Sequence, residues 1–151
     1  MTINCKGNII DFSSPKVMGI LNITPDSFYD GRLYRSEKEI LLQTEKMLSE
    51  GATFIDVGAY SSRPGAQHIS ENEELERIIP VVQLLVKQFP EIIISIDTFR
   101  SSVAKETIEI GASLINDISG GTLDKKMFEM VSSLEVPYIL MHMKGTPQTM
   151  Q

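Results

Sequence analysis

Five short apolar runs each end on a polar residue, and each opens into a loop followed by a helical pattern. Val17-Met18-Gly19-Ile20-Leu21 ends at Asn22 and Thr53-Phe54-Ile55 at Asp56. Ile92-Ile93-Ile94-Ser95-Ile96 ends at Asp97 and Ser113-Leu114-Ile115 at Asn116-Asp117, while Pro137-Tyr138-Ile139-Leu140-Met141 ends at His142. A strand that delivers an amide or a carboxylate at its C-terminal tip is the building unit of a parallel α/β barrel. There the tips converge on one face, beneath the βα loops.

The intervening segments carry helix signals. Ser36 and Glu39 have capping-box spacing, and that segment ends at Gly51, a natural residue after a helix. Ile40, Leu41, Thr44, Met47 and Leu48 give it one apolar face. Ser70 and Glu73 repeat the box, with Glu71, Glu73, Glu74 and Glu76 placed to favour the helix dipole. Leu75, Ile78, Ile79, Val82, Leu85, Val86 and Phe89 follow a helical period up to Pro90. Pro80 within it predicts a kink rather than two helices. A third helix is predicted over 101–110, stopped by Gly111, and a fourth over 124–135, burying Met127, Phe128, Val131 and Leu134. Strands about 20 to 40 residues apart suit right-handed crossovers.

Two architectures use this order, the doubly wound sheet and the (β/α)₈ TIM barrel. No G-x-G-x-x-G follows a strand, and every strand ends in a polar residue rather than one switch point alone; both facts favour the barrel. A complete barrel takes about 250 residues, and this sequence has 151. The expectation is therefore the N-terminal five β/α units of a single barrel domain over 1–151. An independent half-barrel that pairs with a second copy is the alternative.

Composition narrows the function classes. Hydrophobic content of 42% and charged content of 23% are those of a globular chain. A single cysteine, Cys5, excludes an internal disulfide and is compatible with a reducing compartment. The start lacks a signal-peptide pattern, and no apolar run approaches the roughly 18 residues of a membrane span, so the default location is cytoplasmic. A net charge of −6 argues against a nucleic-acid partner. A small anionic ligand stays open, because Arg32, Arg35, Arg63, Arg100 and Lys144 fall in or beside loops that follow strands.

The chemistry-bearing residues sit at the strand tips. Asn22 offers a carbonyl oxygen suited to a hard cation, or a donor for a phosphate oxygen. It could equally cap its strand. Asp26 and Asp30 are acids on the turn-rich loop that follows, and Phe28 is an apolar element of it. In the second loop Ser61, Ser62 and Arg63 can hold a phosphate or carboxylate, with Pro64 and Gly65 shaping the backbone. Asp97 emerges from a dry, nearly all-isoleucine strand, where a ligand N–C–N edge would pair it in bidentate fashion. Asn116 on the next strand can donate and accept beside it. As isolated residues, Asp97 is also a helix N-cap candidate and Asn116 a turn residue. His68 and His142 lack zinc-ligand spacing.

With these residues in place the chain resembles the dihydropteroate synthase family. The match rests on Ile20-Leu21-Asn22-Ile23-Thr24-Pro25-Asp26-Ser27-Phe28, Ser61-Ser62-Arg63-Pro64-Gly65, Ser95-Ile96-Asp97-Thr98, Ile115-Asn116-Asp117-Ile118-Ser119-Gly120-Gly121 and Met141-His142-Met143-Lys144-Gly145-Thr146-Pro147. The resemblance implies a pterin-binding TIM barrel that joins para-aminobenzoate to a 7,8-dihydropterin hydroxymethyl diphosphate. The products would be 7,8-dihydropteroate, on the route to folate, and diphosphate. It further implies Mg²⁺ as cofactor, sulfonamides as competitors of the aminobenzoate, and a homodimer in the full-length enzyme. By the same match Asn22 assists the metal and diphosphate. Ser61, Ser62, Arg63 and Pro64 lie near aminobenzoate and diphosphate. Asp97 and Asn116 hold the pterin edge, Ile118 and Met141 line its pocket, and Asp26 and Phe28 belong to a loop over the reacting centre and, with Arg63, are the residues assigned to catalysis.

The pattern has two departures. Tyr60 stands where the family often has an acid, and the second, weightier departure concerns the family's later site residues. The family's later pterin-binding Asp and Lys, and its terminal diphosphate site, correspond to positions after Gln151, so no synthase activity is expected of these 151 residues alone. Two other readings share the pattern: a pterin-binding methyltransferase barrel, and a non-catalytic truncated product.

Overall fold

The computed structural model describes residues 1–23, 37–60 and 68–145. An antiparallel hairpin, β1 (Thr2–Cys5) and β2 (Asn8–Asp11), precedes a parallel sheet. The sheet contains β3 (Val17–Asn22), β4 (Ala52–Gly58), β5 (Ile94–Asp97), β6 (Leu114–Asp117) and β7 (Tyr138–Leu140), ordered β3-β4-β5-β6-β7. Between consecutive strands run α1 (Glu37–Ser49), α2 (Glu71–Gln88), α3 (Ser101–Glu109) and α4 (Met127–Leu134). Strand neighbours in sequence are neighbours in space throughout. This is the β/α progression of a TIM barrel over five strands, with β3 and β7 as the outer strands of the described sheet.

Alternation along the strands separates two apolar layers. Leu21, Ile55, Val57, Ile94, Ile96 and Ile115 face the helices and pack with Ile40, Ile78, Val82, Leu85, Val103, Ala104 and Met127. The opposite face, the inner wall of the barrel, carries Met18, Phe54, Ile93 and Leu114 at its N-terminal end. The hairpin covers that end: Cys5, Ile3, Ile10 and Phe12 join the same cluster, and Phe12 stacks on Phe54 with ring centroids 6.3 Å apart. Lys6 (φ 51) and Gly7 (φ 89) make the left-handed two-residue turn such a hairpin requires. The Lys6 ammonium then donates to the Ile108 carbonyl at the end of α3, at 2.7 Å. The hairpin is an addition to the predicted elements, because four-residue strands give too little alternation to be read from sequence.

The helices follow their caps. The Ser70 hydroxyl accepts from the Glu73 amide at 3.2 Å, opening α2 as its box spacing predicts. That helix passes Pro80 unbroken, with the proline on its exposed side. Gly51 (φ 104) follows α1 as expected, whereas Ser36 lies outside the described residues.

Three expectations need correction. β4 runs on to Gly58, so Asp56 lies inside the strand rather than at its tip. The fourth helix starts at Met127, after a turn in which Asp124 Oδ1 accepts from the Lys126 amide at 2.9 Å, while Asp124 Oδ2 accepts from the Ser101 amide at 2.7 Å, capping α3 across space. Phe128 is half-exposed, lying edge-on to Tyr138 and against Gly121, not in the core.

Replacing Ser70 with alanine should lower unfolding free energy by about 1 kcal/mol, read from the urea midpoint, since one orphan amide at the start of α2 loses its acceptor. An unchanged midpoint would show that the cap contributes nothing.

Candidate functional site

Strand register sets the site. Asn22 pairs with Gly58, Gly58 with Asp97, Asp97 with Asn116, and Asn116 with Ile139. Residues level with one another in a sheet present their side chains on the same face. Here that face is the inner wall, at its C-terminal rim. Gly58 leaves the gap that lets its neighbours approach: a Cβ there would lie 3.2 Å from Asp97 Oδ2 and 3.6 Å from Asn22 Oδ1. One layer below, Ile20 is level with Asp56 and Asp56 with Ser95. The Asn116 amide donates down into this layer, to Asp56 Oδ2 at 3.0 Å.

Asp56 is the residue that sequence reasoning leaves out of the site. Almost wholly buried, it fixes which way the Asn116 amide points, because Nδ2 is committed downward and Oδ1 is turned away from the carboxylate. Burial pushes the Asp56 carboxyl upward, opposed by Ser95 and Asn116. Its Oδ1 and the Ser95 hydroxyl have no well-formed hydrogen bond among the described residues.

Asp97 does not cap α3, whose amide is taken by Asp124. Desolvation, reinforced by the charges of Asp56, Glu74 and Asp117, pushes its carboxyl up to about 7. Such an acid is matched to a ligand that brings its own donors, since these compensate both burial and repulsion.

Asp117 faces the other way, toward the helices. It accepts from the Ser119 amide (2.7 Å) and hydroxyl (2.8 Å), the Gly121 amide (2.9 Å) and the Tyr138 hydroxyl (2.7 Å). The carboxylate shapes the loop that begins with half-buried Ile118 and in which Gly120 and Gly121 take positive φ. In return it holds the Tyr138 phenol well above its usual range, through burial and then the hydrogen bond and charge of Asp117. The Asn-Asp-x-Ser-Gly-Gly series is the available signal, since aspartate before serine and glycine favours side-chain-closed turns. Met141 follows β7 directly and is exposed, its amide donating to the Asp117 carbonyl at 3.2 Å.

Arg100 is not available to an anionic ligand. It is buried and ion-paired with Glu74, itself fully buried rather than a solvated first-turn acid. Asp26, Phe28, Ser61, Ser62, Arg63 and Pro64, with Arg32 and Arg35, lie outside the described residues.

The class defined so far is a TIM-barrel enzyme fold whose rim carries an amide, a glycine gap, a protonatable acid and an oriented amide in one row. Comparison with known proteins narrows it: residues 18–151 match the model of the pterin binding enzyme family, and the chain belongs to that family. Over 151 residues it is 44% identical to the dihydropteroate synthase of Escherichia coli, covering all of this chain and 53% of that protein. The Yersinia pestis dihydropteroate synthase, solved as a sulfonamide drug complex, superposes with a TM-score of 0.88 at 43% identity, over 98% of this chain and 53% of that one. The Xanthomonas albilineans dihydropteroate synthase in complex with 7,8-dihydropteroate gives 0.81 at 34% identity, over 95% and 52%. The chain thus spans about half the length of these bacterial relatives.

Because the folded value of Asp97 lies above its ordinary 3.8, the ionised form is the destabilising one. Its contribution to stability is complete below about pH 4 and is lost as pH rises through about 7. Asp97→Asn should therefore melt higher than the parent at about pH 8 and show no such gain at about pH 4. Equal melting temperatures at both would contradict a buried, neutralised acid.

Proposed function

We propose that this chain provides the pterin-gripping part of a dihydropteroate synthase, which condenses para-aminobenzoate with (7,8-dihydropterin-6-yl)methyl diphosphate. One observation carries the reading: Asn22, Asp97 and Asn116 stand in a single register row on the inner wall. Asp97 accepts from the 2-amino and ring N–H groups of the pterin, a flat bidentate donor edge. Asn116, held by Asp56, presents its carbonyl oxygen to the same ring. Ile118 and Met141 border the ring plane. In the reaction the methylene–oxygen bond to diphosphate breaks, the aniline nitrogen forms the new carbon–nitrogen bond, and that nitrogen releases a proton. No residue forms a covalent intermediate, so the protein acts by orienting the partners and stabilising charge.

Ser61, Ser62, Arg63 and Pro64 as the aminobenzoate and diphosphate contacts, and Asp26 and Phe28 as the loop over the reacting carbon, rest on the family resemblance. Magnesium belongs to the same proposal. The Asn22 side-chain oxygen borders the Gly58 gap at the rim, a hard donor of the kind Mg²⁺ takes alongside water and phosphate oxygens. Asn22 would hold the ion, which when bound offsets the charge of the departing diphosphate. For the full-length enzyme we infer a homodimer in the cytoplasm. Among the described residues no helix is long and apolar enough to cross a membrane.

Calorimetric titration of the purified chain with 6-hydroxymethyl-7,8-dihydropterin tests the grip. One-site binding is expected, weakened about ten- to a hundredfold by Asp97→Ala or Asn116→Ala, as loss of a charge-assisted contact or of the oriented amide implies. A folded parent that takes up no pterin, or variants that bind like the parent, would remove the reading.

A further inference from the structure

Behind the register row lies a buried polar network that takes no part in gripping the pterin. Thr98 follows Asp97 and turns toward the helices. Its hydroxyl donates to Glu74 Oε1 at 2.7 Å and its amide to the Asn116 carbonyl at 3.1 Å. The Arg100 amide donates to the same Thr98 hydroxyl at 3.2 Å. The Arg100 guanidinium reaches Glu74 Oε2 through Nη1, the Ser70 carbonyl through Nη1 at 3.3 Å, and the Ile69 carbonyl through Nη2 at 2.6 Å. It also lies 5.0 Å from the Phe99 ring centroid and 5.4 Å from that of Tyr60. The Tyr60 hydroxyl bonds His68 Nδ1 at 3.1 Å. One guanidinium therefore touches the residues after β4, the start of α2 and the turn after β5.

Stability does not account for this arrangement. Glu74 is fully buried and Arg100 nearly so, and a buried ion pair is commonly no more stabilising than apolar side chains of the same volume. What the pair supplies is geometry. A planar fork with fixed donor directions can satisfy a carboxylate and two carbonyls only when all three are in place. We propose that Arg100 and Glu74 are positioning residues, which lock the Asp97–Thr98 tip and the Asn116 backbone to the start of α2 and so set the pterin-binding row. The inference rests on the pterin reading of Asp97 and Asn116. Both side chains are spent on contacts behind the row, to Thr98, Ser70 and Ile69.

Arg100→Met alone strands a buried carboxylate, so the informative variant is the Arg100→Met/Glu74→Met double substitution, with Arg100→Lys beside it. Two measurements apply to each: pterin affinity by calorimetry, and amide hydrogen exchange at positions 98 and 100 against the β3 and β4 amides. The double variant should melt near the parent temperature, yet bind 6-hydroxymethyl-7,8-dihydropterin about tenfold or more weakly. Exchange at 98 and 100 should quicken selectively. Arg100→Lys should fall between, since an ammonium keeps the charge without the fork. Parent-like affinity in the double variant, or exchange at 98 and 100 no faster than in the parent, would overturn the proposal. A parent that binds no pterin would defeat the functional reading, and the exchange measurement would still decide whether the clamp exists.

Discussion

Parallel strand register is the constraint on which the rest depends. Adjacent strands running the same way, each delivered by a helix packed on the outer face, reach the rim at matching heights. Residues about 20 to 40 positions apart then stand shoulder to shoulder without any direct chemical bond between them. Asn22, Gly58, Asp97 and Asn116 form such a row. A shift of one residue in any pairing would turn that strand's polar tip toward the helices and its isoleucines toward the rim. The apolar outer layer of Leu21, Ile55, Val57, Ile94, Ile96 and Ile115 is what makes such a slip costly. Packing that holds the sheet together therefore also fixes the site.

The row concentrates negative charge. Asp56, Glu74 and Asp117 all bear on Asp97, and the result is a carboxyl held near neutral pH by burial first and by these charges second. Each of the surrounding acids is handled differently. Glu74 has a guanidinium, Asp117 has four donors from its own loop and from Tyr138, and Asp56 shares the Asn116 amide. Asp97 stands at the rim beside the Gly58 gap with no partner of comparable strength among the described residues. On the proposed function, an acid destabilised in this way, beside an oriented amide, is the arrangement a donor-rich planar ring would relieve, so stability and binding would pull against each other at one residue.

Much of this is legible in the amino-acid sequence. The apolar runs and their polar ends locate all five sheet strands, and Ser70 and Gly51 mark helix ends, because both signals are local: a cap or a period is decided by residues within one turn. Asn22, Asp97 and Asn116 stand out for the same reason, each being the first polar residue after an apolar run. Signals that mislead depend on partners distant in sequence. Asp124 has the look of a helix start, and besides the turn before α4 it caps α3 across space; Arg100 has that of a mouth cation and is buried against Glu74. Phe128 fits a helical apolar period yet packs on Tyr138 and Gly121 in half-exposed surroundings. Asp56 resembles a strand tip because nothing nearby in the chain shows that pairing with both neighbours carries β4 on to Gly58.

Sequence alone determined the element order, the polar residue at the end of each strand and the family resemblance, since these are properties of contiguous residues and of motif spacing. Only the folded chain decided which acids face the ligand side and which face the helices. The alternation is the same for Asn116 and Asp117, neighbours in sequence, yet one points to the barrel interior and the other organises a loop outside it. That choice is made by which face of each strand the helices bury. It also explains why a glycine, silent as a motif, is central to the site: the space at Gly58 exists only once β3 and β5 stand on either side of it.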